Sequence, residues 1–214
     1  MKKFLNNILS IFISILFIYS FIFIAVIFLL LNRDFYYLHI KYLDLVEKTG
    51  YSLKDIKANY NYILDYFLPF YNEDFNLPTL PYSTQGKIHF EEVKNIFNIA
   101  FLIGIIILIA LIIIFYYYYK KKDSTFLKKS SINSIIITIL ISIIGYFNFD
   151  KSFTIFHKMF FNNDYWIFDP KKDPVINILP QEFFRNCSIL IIIFIIIGSL
   201  LLYLIYKLIN KVLK

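Results

Sequence analysis

Cysteine and glycine are both scarce in this chain of 214 residues, which has one Cys and 5 Gly. The single cysteine, Cys187, cannot form an internal disulfide, and we interpret it as a small apolar residue within a helix. The sequence contains no G-x-S-x-G elbow, no H-E-x-x-H zinc motif and no glycine-rich phosphate loop. These absences argue against a serine hydrolase, a zinc metalloprotease and a P-loop nucleotide-binding protein.

Charged residues are nearly absent from four long apolar runs, and the whole chain is 59% hydrophobic. A helix needs about 20 apolar residues to cross the hydrocarbon core of a bilayer, so we predict an all-α polytopic membrane protein with four transmembrane helices. The lack of charge inside the runs argues against a proton relay or an ion pathway through the bilayer. The predicted segments are the N-terminal tail and first span at 1–31, a first extracellular segment at 32–95, the second span at 96–119, a cytoplasmic loop at 120–131, the third span at 132–149, a second extracellular segment at 150–186, and the fourth span with a cytoplasmic tail at 187–214.

Two of the apolar runs admit another interpretation. The third run is short, so a buried core helix stays open as the alternative for that run alone. The first run follows MKK, as a signal peptide would, but its apolar part is too long and IAVIFLLLNRDF contains no A-x-A cleavage site. We therefore expect an uncleaved first span.

The distribution of basic residues predicts the orientation of the chain. The two terminal segments and the short middle connection hold ten basic residues and one acidic residue, Asp123, whereas the two long connections hold twelve basic and fourteen acidic residues. Short segments rich in Lys and Arg stay in the cytoplasm, so we expect both termini inside and the two long connections outside as a helical cap. The positive charge suits anionic lipid heads, and we expect no nucleic-acid partner.

Capping signals predict short helices in the first long connection. Residues 35–50, FYYLHIKYLDLVEKTG, have an amphipathic pattern that ends at Gly50. Ser52 and Asp55 resemble a capping box at the start of a second helix, which Pro69 stops. After a loop, KIHFEEVKNIF predicts a helix that continues into the second span.

Similar signals occur in the second long connection. We expect Ser152 to cap a short helix that carries His157 among aromatic side chains. Asp173 and Pro174 form a good pair for the start of another helix, and Pro180 is predicted to open the helix that leads into the fourth span.

Two histidines, His89 and His157, each precede a span on the same predicted side of the membrane. Histidine exchanges protons near neutral pH, so two imidazoles held at a lipid–water boundary indicate acid–base chemistry on a lipid. Each alone is also typical of an amphipathic interface residue, which is our interpretation of His39. Zinc binding with Glu92 or Asp173 as further ligands is another alternative, but the spacing matches no zinc motif and we expect no metal.

Five further side chains are candidates for binding or orienting a substrate. Glu92 lies one helical turn after the first histidine and could orient an imidazole, or could belong to a solvated face. Asp169 and Asp173 could do the same, although turn formation and capping explain both aspartates as well. Arg185 could hold a phosphate or carbonyl oxygen, or extend to the surface from a helix end. Trp166 suits an interfacial anchor.

The arrangement resembles the Lit family, the lipoprotein intramolecular transacylases of Gram-positive bacteria. The resemblance covers the topology of four spans with a long first outer segment. Its specific part consists of two blocks: an H-x-x-[DE]-V-K stretch before the second span, and FHKMFF followed by NDYWIFDPKKDPVINILPQEFF before the fourth. Glu92 stands in the first block where we expect an aspartate.

The resemblance implies a reaction and its residues. Members of the family act on lipoproteins whose N-terminal cysteine carries a diacylglyceryl thioether, and move the sn-2 acyl chain to the α-amino group of that cysteine, which gives the lyso-form lipoprotein. It implies two essential histidines at His89 and His157, no cofactor, and lipoproteins and membrane lipids as partners. The sequence leaves open which histidine is the base, whether one is acylated, and the oligomeric state. The alternative function is a non-catalytic membrane assembly protein or a transporter-associated protein.

Overall fold

The computed structural model describes the backbone of residues 2–212 and, within that range, the side chains except those of 2–6, 144, 146 and 212. The predicted basic anchors Lys2, Lys3 and Lys214 therefore lie outside the described side chains. The described residues form nine helices and no strand. The helices are α1 (Lys2–Leu31), α2 (Arg33–Tyr42), α3 (Leu45–Thr49), α4 (Leu53–Tyr66), α5 (Thr84–Lys120), α6 (Thr125–Phe147), α7 (Phe149–Phe160), α8 (Val175–Ile178) and α9 (Gln181–Val212).

Four of these helices are long and apolar enough to cross a membrane, which agrees with the four predicted spans. The stretches that qualify are Asn7–Leu31, Thr84–Lys120, Thr125–Ile143 and Gln181–Lys211. Three of the helices begin before the apolar run that they contain. The reason is that a polar sequence with good helix formers precedes each run without a break, so the helix propagates into it.

The chain divides into two compact units, which comprise residues 2–26, 102–148 and 189–212 in the first unit, and Ile27–Phe101 and Phe149–Ser188 in the second. In the first unit, α1 packs closely against glycines of two other helices. A Cβ atom added to Gly104 would lie 2.6 Å from the ring of Phe23, and one added to Gly198 would lie 2.5 Å from the ring of Phe21. Glycine at these two positions lets an aromatic ring approach a helix backbone directly, as is common between membrane helices.

The second unit has a core of aromatic rings around α2, α4 and the start of α9. Tyr36 is fully buried, and its ring stacks on that of Tyr60 with 3.6 Å between centroids. The Tyr36 hydroxyl donates a hydrogen bond of 2.6 Å to the carbonyl oxygen of Ile178 in α8. This bond joins the first long connection of the chain to the second, because the two residues lie 142 positions apart.

Local capping confirms some of the predicted helix ends and corrects others. Ser52 accepts a hydrogen bond from the backbone N–H of Asp55, and α4 ends before Pro69, as expected. The amphipathic stretch that ends at Gly50 is two helices rather than one, because Asp44 adopts a left-handed conformation with φ of 53°. Ser152 is not a cap, since α7 begins three residues earlier at Phe149. The helix of the fourth run begins directly after Pro180, as predicted.

Candidate active site

His89 lies in the second turn of α5 and is held in an aromatic environment. Its side chain is 7% exposed. Its ring centroid is 4.7 Å from that of Phe161 and 5.4 Å from that of Phe168. The imidazole is surrounded by apolar rings, and burial of this kind favours its neutral form.

His157 lies on α7 and is fixed by a hydrogen bond and a stacked ring. Its Nδ1 is 2.8 Å from the carbonyl oxygen of Phe153, one helical turn earlier. A carbonyl oxygen only accepts, so Nδ1 carries the proton and Nε2 of the neutral ring has a free lone pair. The indole of Trp166 stacks on the imidazole of His157, with 4.7 Å between the ring centroids.

The two imidazoles meet, with 6.1 Å between their ring centroids. The phenyl ring of Phe161 contacts both, since it lies 5.7 Å from His157 as well. Burial lowers the pKa of His157 below its usual range, although the hydrogen bond to the carbonyl of Phe153 acts in the opposite direction. A neutral imidazole with a free Nε2 can accept a proton at neutral pH.

Three buried polar atoms on His89 and on two of the further candidate residues have no hydrogen-bond partner among the described residues. They are Nδ1 of His89, Oε2 of Glu92 and Nε1 of Trp166. Buried polar groups in folded proteins are nearly always paired, so these three atoms are candidates for contacts with a bound molecule. The three atoms offer such a molecule an indole donor, a carboxylate acceptor and an imidazole nitrogen.

Glu92 is held by Asn163, a residue that the sequence did not single out. Nδ2 of Asn163 donates a hydrogen bond of 2.7 Å to Oε1 of Glu92. Oδ1 of the same amide accepts a hydrogen bond of 3.0 Å from the backbone N–H of Tyr165. Both ends of the amide are thus engaged. The two residues are 71 positions apart, and one asparagine in a polar turn carries no sequence signal of such a contact.

Asp173 does not orient either histidine in the described structure, and its side chain does not cap α8. It is 4% exposed, and its carboxylate accepts hydrogen bonds from the backbone N–H of Ser83 (2.7 Å) and from the Ser83 hydroxyl (2.8 Å). The first residue before α8 is Pro174, which makes no side-chain cap. Ser83 itself caps α5, because its hydroxyl accepts from the N–H of Gly86 (2.9 Å). The prediction that Asp173 caps the helix that follows it is therefore wrong. Asp173 instead fixes the start of α5, the helix that carries His89.

Asp169 and Arg185 likewise make no hydrogen bond to either histidine in the described structure. Oδ1 of Asp169 accepts a hydrogen bond of 3.0 Å from the backbone N–H of Lys171, which is the turn-forming role that its sequence context favours. Arg185 is exposed and makes no hydrogen bond or ion pair within residues 2–212. Of the five additional candidates, Trp166 stacks on His157, and Glu92 lies one helical turn after His89 on α5.

The arrangement does not bring together a metal-binding set. Across the described part of the chain, no group of three or more His, Cys, Asp and Glu side chains could hold a metal ion. The zinc alternative required Glu92 or Asp173 as a further ligand, and these carboxylates bond to Asn163 and Ser83 respectively.

Comparison with known proteins identifies the chain. The sequence profile of the lipoprotein intramolecular transacylase Lit matches residues 9–184. The chain belongs to the Lit family. A structure of the membrane-integral Lit from Bacillus cereus is 37% identical to it, covers 96% of both chains and superposes with a TM-score of 0.89. A search of curated proteins found no match.

Two further Lit structures from Bacillus cereus carry a substituted histidine. The alanine variant is 35% identical, with a TM-score of 0.86, and the arginine variant is 36% identical, with a TM-score of 0.82. Each covers 98% of this chain and 96% of its own. Membership of the Lit family makes this chain a membrane-integral, multi-pass acyltransferase that processes lipoproteins, and the predicted resemblance and fold class are confirmed. The alternative of a non-catalytic membrane protein loses its support.

Proposed function

We propose that this Lit protein transfers the sn-2 acyl chain of a diacylglyceryl-cysteine lipoprotein to the α-amino group of the same cysteine. The observation that carries the proposal is the pair of imidazoles, His89 and His157, with 6.1 Å between ring centroids in a chain of this family. An acid–base pair must reach one reacting centre, and this separation allows it.

His157 is the general base in this proposal. The α-amino group of a peptide has a pKa of about 7.7–8.0, so much of it is protonated at neutral pH and must lose a proton to act as a nucleophile. Nε2 of His157 is free to take that proton because Nδ1 donates to Phe153. His157 passes this first proton to solvent, and the amine attacks the ester carbonyl. As the N–C bond forms, His157 takes the second proton from the nitrogen and delivers it to the glyceryl oxygen when the C–O bond breaks, so a protonated amine releases one proton overall.

His89 and Trp166 stabilise the oxyanion that forms on the acyl carbonyl. A neutral imidazole carries one N–H donor, and the indole N–H of Trp166 has no partner in the described structure. Donors aimed at the developing negative charge lower the barrier most in a site that excludes water. Asp173 acts at a distance through Ser83, and Asp169 and Arg185 are given no role in this proposal.

The reaction needs neither a second substrate nor a cofactor. Donor ester and acceptor amine lie on one lipoprotein molecule, so the protein only has to fold that molecule into attack geometry. In this proposal the site faces the outside of the cell membrane, with both termini in the cytoplasm, as the positive-inside rule indicates. The partners are diacylglyceryl-modified lipoproteins and the surrounding lipids.

A synthetic lipopeptide tests the proposed reaction. Its sn-2 acyl chain carries an isotope label, its sn-1 chain does not, and the full-length protein in detergent–lipid micelles is the enzyme. We expect the label on the α-nitrogen of the cysteine and a free sn-2 hydroxyl in the product, read by tandem mass spectrometry. Label that stays on glycerol, or unlabelled acyl on nitrogen, contradicts the proposal.

A further inference from the structure

The carboxylate of Glu92 has one oxygen that is secured and one that is unused. Oε1 accepts a hydrogen bond of 2.7 Å from Asn163, while Oε2 is buried and has no partner in the part of the chain that the structure describes. An unpaired buried acceptor costs stability unless a ligand satisfies it. The position of this oxygen therefore indicates a donor on the molecule that occupies the site.

Asn163 fixes the carboxylate in that position. Its amide is engaged on both sides, with Glu92 and with the backbone of Tyr165, so it cannot rotate away without losing a bond. Glu92 lies one helical turn after His89 on the same face of α5. A second segment of the chain thus holds this carboxylate, one helical turn from His89.

The chemistry of the substrate limits what can donate to this oxygen. The glyceryl ester oxygens and the thioether sulfur near the reacting centre are acceptors, whereas the α-amino group is a donor that is cationic when protonated. It also gains positive charge as its nitrogen bonds to the acyl carbon. A fixed carboxylate interacts more strongly with that charged nitrogen than with the neutral amine, which favours the transition state.

We infer that Glu92 is the residue that recognises the free α-amino group of the lipoprotein, with Asn163 as its positioning residue. The inference rests on the proposed function and adds its selectivity: the site accepts lipoproteins with a free N-terminal amine and discriminates against those whose amine is already acylated. Glu92 takes no part in breaking or forming bonds and transfers no proton. It holds the nitrogen that attacks, while His157 carries the proton.

Two unreactive analogues test this inference separately from the reaction. Both are diether lipopeptides, which lack the sn-2 ester, and one has a free α-amine while the other is N-acetylated. Their inhibition constants give the preference of the protein for a free amine. We expect wild type to favour the amine analogue, and Glu92→Gln to reduce that preference about tenfold to a hundredfold, the range of a hydrogen bond to a charged group.

Matched variants separate recognition from general damage. Glu91→Gln is the same substitution one residue earlier, at a side chain that pairs with Lys87 at 3.8 Å, and should keep the wild-type preference. Asn163→Ala should reduce the preference in the direction of Glu92→Gln. A wild-type protein that binds both analogues equally, or a Glu92→Gln protein that keeps the preference, overturns the inference while the labelled-ester assay still stands. Wild type that forms no product from the ester overturns both proposals.

Discussion

In the imidazole of His157, Nδ1 is held by a hydrogen bond while Nε2 is free. The carbonyl of Phe153 holds Nδ1 and the ring of Trp166 stacks on the imidazole, so the tautomer and the ring plane are set before any substrate binds. Nε2 remains available. In the proposed reaction, preorganisation of this kind means that His157 does not have to reorient before it accepts the proton.

The protonation of His157 predicts a loss of stability in acid. Burial lowers its pKa in the folded protein, so the unfolded chain, with a pKa of about 6.5, binds the proton more readily. The stability that the neutral ring contributes is complete above the unfolded pKa and decreases as the pH falls through that value and below it. We expect the melting temperature of wild type to decrease between pH 7 and pH 5 by more than that of His157→Phe, which keeps an aromatic ring but cannot titrate. Equal decreases in the two proteins contradict this reading.

The sequence named some residues of the candidate site and missed others for a physical reason. His89 and His157 were named because histidine exchanges protons near neutral pH, and the structure brings the two imidazoles together, while their roles and that of Glu92 stay predictions. Asn163 could not be predicted, since its role depends on a contact across 71 positions. The role of Asp173 was misread because the sequence Asp-Pro is a strong local capping signal, and a bond to Ser83 leaves no local trace.

At the scale of elements, the start of α5 is one of the points where the two long connections bond to each other. Asp173 accepts two hydrogen bonds from Ser83, and Ser83 caps the helix through Gly86. A Cβ atom on Gly86 would lie 2.2 Å from Oδ1 of Asp173, so only glycine permits this close approach. These contacts among Asp173, Ser83 and Gly86, which we call the clamp, fix the first turn of α5, just before His89.

Removal of the clamp should destabilise the helix start. Asp173→Ala loses two hydrogen bonds to a charged acceptor and leaves the N–H of Ser83 unpaired, so we expect the free energy of unfolding to fall by about 3 kcal/mol. Asp173→Asn keeps an acceptor and should lose less. Thermal unfolding and the hydrogen exchange of amides 83–89 measure the effect.

The control for this prediction is Asp164→Ala, which removes an exposed carboxylate from the same segment. We expect it to leave both measurements close to wild type, because exposed charges contribute little. Protection of amides 83–89 that is unchanged in Asp173→Ala would show that the clamp has no part in holding α5.

The elements themselves were largely predictable. The four long helices follow from apolar length, and Ser52 and Pro180 from capping chemistry. The break at Asp44 was not predicted, because a left-handed aspartate is uncommon and an amphipathic pattern carries no sign of it. Ser152 is not a cap, because α7 already begins at Phe149, three residues earlier.

At the scale of the whole molecule, the candidate site lies within a single unit of a membrane-integral protein. Both imidazoles and their aromatic surroundings lie within Ile27–Phe101 and Phe149–Ser188, the second unit. The first unit supplies long apolar helices, and the close contacts at Gly104 and Gly198 hold α1 against its neighbours there. Loss of either histidine should therefore leave the scaffold inserted and abolish only the chemistry.

The third histidine of the chain provides the matched control. Nδ1 of His39 is 2.6 Å from the carbonyl of Phe35, and its Nε2 is 3.0 Å from Nδ2 of Asn186, so both ring nitrogens have partners. His39 packs against Phe183 and belongs to the aromatic core of the second unit. Its replacement by glutamine should leave the reaction in place.

The most direct test is mass spectrometry of lipoprotein N-terminal peptides from cells that express each variant, with membrane insertion checked by immunoblot. We predict lyso-form lipoprotein from wild type and from His39→Gln, and a loss of at least a hundredfold from His89→Ala and from His157→Ala, in line with the roughly 10²–10⁴-fold contribution of general acid–base catalysis. Lyso-form lipoprotein at the wild-type level from either alanine variant would contradict the account.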